Sequence, residues 1–431
     1  MKTRRDFLST SGQSIASASV WFAASTSLMR SIESAAASSR WPDDDSAARD
    51  EVFWSTVARA FIGDGRYIVL NGGGQNPPPK EVIEALTSYE AHAAAQPRPN
   101  NDRLMTHVEQ HRRRLSQYLG CEPDEVAITR NTTEGLNIVA NGVELQSSDE
   151  VIYTSFDEYY GARPLRLRAA RQGVVLRKVD LPIPPPDDVV VARIAAAITP
   201  RTKLIVASHI VDGWGYVLPI AKISALARPR GVPVLADGAL AFGHVVVNVR
   251  ELGCDYYVSS LHKWLSAPLG TGLLYVRRDR IAALWPLYGV GEPESANIRK
   301  FEQIGTRAGA PLAAIGQALD FHETIGPGRK AARLRYLGSY VLERLRGAPG
   351  VQCFTDADER RRGGLMRILV KGLSGEAVEK QLREKYGIWT FGRLGSEWDG
   401  IYISPNLFNL PAHLDQFANA MQEIAAEAVK A

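Results

Sequence analysis

The chain has 431 residues, 45% of them hydrophobic and 23% charged, with a formal net charge of +4. That length exceeds one ordinary core and predicts two or three domains, and the composition is that of a globular protein, neither fibrous nor disordered. So small a charge argues against a nucleic-acid binder: the basic runs Arg112-Arg113-Arg114 and Arg360-Arg361-Arg362 lie beside Glu109 and beside Asp358 and Glu359, as on a solvated surface.

In chain order, Thr3-Arg4-Arg5-Asp6-Phe7-Leu8 resembles a twin-arginine export signal. A mildly apolar stretch follows from about Ile15 to Met29, and Ala35-Ala36-Ala37 suits a peptidase, so residues 1–37 are predicted to be a removable signal and the mature protein to be periplasmic. The stretch is too short and too rich in serine for a membrane span, and no other segment resembles one, so no membrane contact is expected once the signal is gone. Twin-arginine pathways carry proteins already folded, often with a cofactor. Folding in a reducing compartment fits the cysteines, since Cys121, Cys254 and Cys353 form neither a disulfide framework nor a metal-binding spacing.

Residues 41–50 are polar and acidic and read as a linker. Tyr67-Ile68-Val69-Leu70 is a short strand ending at Asn71-Gly72-Gly73-Gly74, and Pro77-Pro78-Pro79 opens a helix to about Ala94. A second helix spans about Leu104 to Leu119. From Asp124 strands alternate with helices: Val126–Ile128, Val151–Thr154, Val174–Val179, Leu204–Ser208, Val232–Ala236, Tyr256–Ser259 and Gly272–Val276, with helices near 134–142, 160–171, 187–198 and 220–230. This alternation predicts an α/β fold with a large, mostly parallel sheet. Runs without polar alternation, such as Leu204-Ile205-Val206-Ala207, suit strands buried on both faces. After about Gly326 come strands at Arg367–Val370 and Ile401–Ser404 and helices near 375–386 and 411–429, a smaller α+β domain. The expected division is 38–95 as an N-terminal segment on the small domain, 96–325 as the large domain and 326–431 as the small one.

Three motifs could carry chemistry. In Ser259-Ser260-Leu261-His262-Lys263-Trp264, a lysine follows a buried strand and is flanked by Leu261, Trp264 and Leu265. Desolvation favours a neutral, nucleophilic amine, as imine formation requires. In Val234-Leu235-Ala236-Asp237-Gly238-Ala239, a carboxylate stands at the C-terminal end of a core strand, where open α/β sheets bind ligands. It could pair with a protonated ring nitrogen, cap a helix or ligate a metal; no His or Asp cluster nearby supports the metal. In Arg130-Asn131-Thr132-Thr133-Glu134-Gly135-Leu136, hydroxyls lie between a strand and a helix, a place suited to phosphate or simply to a helix cap.

Taken in order, these motifs resemble the class V aminotransferase family of pyridoxal 5'-phosphate (PLP) enzymes, which includes cysteine desulfurases and the isopenicillin N epimerase group; the resemblance spans about residues 65–425. It implies the PLP-dependent transferase fold of the aspartate aminotransferase type, with a seven-stranded large-domain sheet. It implies that Lys263 forms the imine with PLP and shuttles a proton, and that Asp237 pairs with the pyridinium nitrogen. Thr132, Thr133, Ser260 and His262 would hold the phosphate. Tyr159 matches the ring-stacking position, with Tyr160 as the alternative. Gly305 and Thr306 match a loop that reaches the phosphate of a neighbouring subunit, which makes a homodimer with shared active sites the expected assembly.

Three departures limit the resemblance. Leu240 stands where relatives carry a polar group for the cofactor's phenolic oxygen, and Asp212 where they frequently have Asn. Tyr402 occupies the position of an arginine that clamps the substrate carboxylate. Either another arginine acts instead, with Arg393 the nearest candidate and Arg307 and Arg98 behind it, or the substrate is not an ordinary α-amino acid. The stretch Gly387–Ser396 holds no cysteine and Cys353 comes too early, which disfavours desulfurase chemistry. The expectation is an enzyme acting on an amine or amino acid by α-proton abstraction, as an epimerase, aminotransferase or lyase. The alternative is an exported, non-catalytic binding protein on the same fold.

Overall fold

The computed structural model describes residues 28–38, 41–63, 65–356, 358–393 and 399–430. The seven strands expected between 126 and 276 form one sheet, in the order 126–129, 272–276, 256–260, 234–237, 202–208, 150–154, 175–179. Gly272–Val276 alone runs antiparallel to its neighbours; the other pairings are parallel. The central strands are buried at nearly every position, which explains their unbroken apolar sequences: helices cover both faces, so neither face can be polar.

The C-terminal part is a second layer. A four-stranded antiparallel sheet, ordered 391–393, 400–403, 366–370, 351–354, packs on helices Pro327–Leu345, Gly375–Tyr386 and Pro411–Lys430. The N-terminal segment joins it through a parallel pairing of Ile68–Val69 with Ile388–Trp389. Helix Lys80–Ala95 instead leans on helices Pro97–Met105 and Gly309–Ala313.

Residues 41–50 are not a linker. Asp43 caps a short helix, Asp44–Ala47, by accepting from the Ser46 N–H at 2.7 Å, and Asp50 caps Glu51–Ala58 through the Val52 and Phe53 N–H groups. The acidic residues that looked like solvated chain are N-caps, favoured there by the helix dipole. Between them Trp54 is fully buried and donates from its indole to the Ala47 carbonyl at 2.8 Å.

The Arg4-Arg5 motif lies outside the described residues, but the end of the predicted signal does not. Residues 28–37 are helical, Ile32 is fully buried in the main core, and the Ala36 carbonyl accepts from Arg329 at 3.2 Å. Ala35-Ala36-Ala37 is therefore the last turn of a packed helix. Among the described residues, no helix is long and apolar enough to cross a membrane.

Candidate active site

The strands ending at Thr129, Thr154, Ser208, Asp237 and Ser260 all deliver their last residues to one edge of the sheet, the edge at which ligands of open α/β folds bind. Between this edge and the small domain lies a cavity of about 280 Å3. Its wall includes Thr132, Thr133, Asp237, Ser260, His262, Lys263 and Tyr402, so these sequence candidates meet in one place. Gly74 from the N-terminal segment and Phe156, Asp157, Ser208, Ile210, Asp212 and Leu240 complete much of it.

At the floor, helix Thr132–Gly142 points its N-terminus into the cavity, capped by Asn131, which accepts from the Glu134 N–H at 2.9 Å. The Ser260 hydroxyl accepts from the Thr132 N–H at 2.9 Å and lies 2.8 Å from the Thr132 hydroxyl. Two turns from different strands thus bring their hydroxyls together. A Cβ on Gly272 would stand 2.7 Å from Asn131 backbone atoms, so glycine is what lets the strand Gly272–Val276 approach this loop. Half-buried His262 lies with Nδ1 3.2 Å from the Thr271 carbonyl, and burial lowers its pKa.

Asp237 is 6% exposed. Burial lifts its carboxyl pKa to about 6, against the opposing pull of the Ala239 N–H, bonded at 2.9 Å, and of the nearby Lys263 ammonium. A carboxylate so placed gains most from a cationic partner. Lys263 is half-buried, three residues past the strand that ends at Ser260.

Of the two tyrosines offered for the ring position, the structure brings the alternative to the cavity. Tyr160, not Tyr159, lines the cavity. Tyr159 is half exposed and carries the Arg163 guanidinium 4.2 Å over its ring, while it meets Tyr160 edge to face at 4.7 Å. Gly305 and Thr306 are not at this cavity. They line a separate surface depression with Arg98, Asn101 and Arg307, and Arg307 is spent on the Ile128 carbonyl and Glu302. Arg98 is exposed and lies near Asp102, so neither reserve arginine faces the cavity. Residue 393 ends the strand Phe391–Arg393, paired with Gly400–Ile403; its side chain is outside the described residues.

Two features escaped the sequence. Asp157 is buried and accepts four hydrogen bonds, from the N–H and hydroxyl of Thr154 (3.0 and 2.6 Å) and of Ser208 (2.8 and 2.5 Å). Burial still raises its pKa. It ties together the ends of two parallel strands at the cavity wall, and its only sequence signal is the helix-capping pattern Thr154-x-x-Asp157. The second feature is a row across the small sheet, Phe391, Tyr402, Arg367 and Phe354, each opposite the next. The Arg367 guanidinium is buried 4.5 Å over the Trp214 ring, one strand away from Tyr402. A cation thus sits beside Tyr402, the position at which the sequence resemblance led to the expectation of a carboxylate-binding arginine.

These residues fit PLP. The converging hydroxyls and helix N-terminus suit a phosphate, the buried Asp237 suits a pyridinium, and the Lys263 amine shares their cavity. Leu240, 4% exposed, offers no polar group to the phenolic oxygen.

The comparisons agree. The family model for aminotransferase class-V matches residues 68–397. The isopenicillin N epimerase of Streptomyces clavuligerus is 30% identical over 397 residues, 87% of this chain and 99% of that protein. A cysteine desulfurase of Cronobacter sakazakii is 31% identical over 304 residues, 66% of this chain and 74% of that protein. Among solved structures, a C-DES variant with glycine covalently linked to the PLP cofactor superposes with a TM-score of 0.77 at 24% identity, covering 85% of this chain and 98% of that one.

Proposed function

Because the chain belongs to the class V aminotransferase family, whose cofactor is pyridoxal 5'-phosphate, we propose that it binds an amine or amino acid and moves the proton on the carbon bearing the amine. The observation that carries this reading is the meeting of Lys263, Asp237 and the Thr132–Ser260 hydroxyls around one cavity. When bound, PLP supplies an electrophilic aldehyde and a ring that delocalises the electron pair left at that carbon.

The protein's own groups do the rest. Thr132, Thr133, Ser260 and His262 hold the phosphate, and the Asp237 carboxylate keeps the ring nitrogen protonated. Lys263 presents the amine that carries the cofactor and then takes and returns the substrate proton. Tyr160, in the role first expected of Tyr159, packs on the ring. Substrate enters beside Tyr402 and Asp212. Its charged end is read there by the small-domain strands, with Arg393 as the candidate clamp and Arg367 beside it. Gly305 and Thr306 act across a homodimer, completing the phosphate site of the neighbouring subunit.

Epimerase or lyase chemistry is placed ahead of transamination, supported by the match to isopenicillin N epimerase over nearly its whole length. Persulfide chemistry is placed last. Gly387–Ser396 has no cysteine, and Cys353, on the strand Val351–Phe354, is desolvated so that its thiol pKa rises to about 11.

Mixing the purified holoenzyme with a panel of α-amino acids and of the matching amines without a carboxylate is expected to shift the visible cofactor band for one class only. A response to the amino acids supports recognition by an arginine, and a response confined to the amines assigns Tyr402 and Asp212 to a substrate with no carboxylate. Silence across the whole panel would overturn the catalytic reading.

We propose further that the chain is exported by the twin-arginine pathway to the periplasm, and that any peptidase cut falls ahead of the packed helix at 28–37. Replacing Arg4 and Arg5 with lysine should hold the protein in the cytoplasm on fractionation. The exported protein's intact mass should include Ile32; a mature chain beginning at Ser38 would refute the cut site.

A further inference from the structure

Lys330 lies in the second turn of helix Pro327–Leu345, is 1% exposed, and donates its amine to the backbone carbonyl of Trp264, the residue after Lys263. Two other tethers reach the same turn, both from Asn76: its N–H donates to the His262 carbonyl at 3.3 Å and its side-chain amide to the Ser266 hydroxyl. The far side of Trp264 is closed by His244, whose ring stacks on the indole with centroids 3.7 Å apart. His244 in turn accepts from the Gly364 N–H at 2.7 Å, a backbone group of the C-terminal layer. The turn that presents Lys263 is thus gripped by the helix that opens that layer.

Burying an amine here is costly. Desolvation brings the Lys330 pKa down to about 7 and that of His244 to about 3, and holds His322 well below its ordinary value. The titratable groups that feel the amine are His322, from helix Ile315–Ile325, and His244. Along its own helix stands Arg333, paired with Glu51, and Asp44 closes on Gly328. A methionine would fill nearly the same volume without the electrostatic cost, so packing alone gives no reason for a lysine.

We propose that Lys330 is a positioning residue for Lys263: its amine fixes the Trp264 carbonyl and thereby sets the direction in which the neighbouring side chain enters the cavity. The inference rests on the reading of Lys263 as the cofactor-bearing lysine. Without the Lys330 bond the turn keeps its Asn76 tethers, so it stays folded but loses one of the constraints on its tilt.

The test compares holoenzymes carrying Lys330→Met and Lys330→Gln with wild type. Borohydride reduction and peptide mapping should find the cofactor on the peptide containing residue 263 in all three. The methionine variant should melt no lower than wild type at pH 7. Its visible band should nevertheless change with pH at a midpoint moved by about one unit, and its response to a reactive panel compound should slow about tenfold, the worth of one hydrogen bond. Glutamine, which keeps an N–H donor, should recover part of both. Lys330→Leu serves for the same two readings if the methionine chain does not fold. Cofactor on a different peptide sinks the assignment of Lys263. Cofactor on the right peptide with an unmoved midpoint and rate overturns the role of Lys330 alone.

Discussion

A Lys263→Ala variant, reconstituted with PLP and then washed, is expected to lose the visible absorbance that wild type retains. Turnover should fall by roughly 10³-fold or more, because covalent attachment and proton transfer go together and proton transfer alone is worth about 10²–10⁴-fold. The loss should be chemical, not structural. Lys263 is half-buried at a cavity wall, and the turn around it is held by Asn76 and Lys330, whose contacts are to other residues of that turn. The variant should therefore melt within a few degrees of apo wild type. A small primary amine added to the medium should enter the vacated space and restore part of the rate. Tightly held absorbance in the washed variant would show that the cofactor is carried elsewhere.

The large sheet was legible because its strands must be apolar on both faces, and few other structures demand unbroken runs such as Leu204–Ala207 or Val234–Ala236. The place of the candidate residues was legible for a related reason: Asp237 ends such a strand and Lys263 stands three residues past one, so fixing the strands fixes which edge they occupy. What lay beyond reach depends on short-range geometry or distant partners. Tyr159 and Tyr160 are one step apart after the single turn Ser155–Asp157, and which of them lines the cavity is set by the local fold, not by any pattern in the chain. Asp157 is polar yet buried, and its partner Ser208 is 51 residues away. The row from Phe391 to Phe354 exists only once four short strands find their register, and strands of three to five residues carry little periodicity. Asp43 and Asp50 looked like linker because a cap and a solvated acid share one composition.

Replacing Asp237 with asparagine should leave the cofactor bound and slow proton transfer by roughly 10²–10³-fold, the usual cost of losing one fixed electrostatic partner of developing charge. The amide keeps the shape and can still accept the Ala239 N–H, but it carries no charge to hold the ring nitrogen protonated. A pH signature separates this from a packing defect. In the cofactor-free protein, burial raises the Asp237 pKa to about 6, above the value of about 3.9 for an unfolded chain. Between those values the folded state binds the extra proton, so this group's contribution to stability is greatest below pH 4 and declines as pH rises toward 6. Above that the apo protein holds a buried, under-compensated carboxylate, which a pyridinium would neutralise. PLP should therefore raise the melting temperature of wild type more at pH 7.5 than at pH 5, and in Asp237→Asn that difference should vanish. An asparagine variant that keeps wild-type turnover and the same pH-dependent gain from the cofactor would place the ring nitrogen away from residue 237.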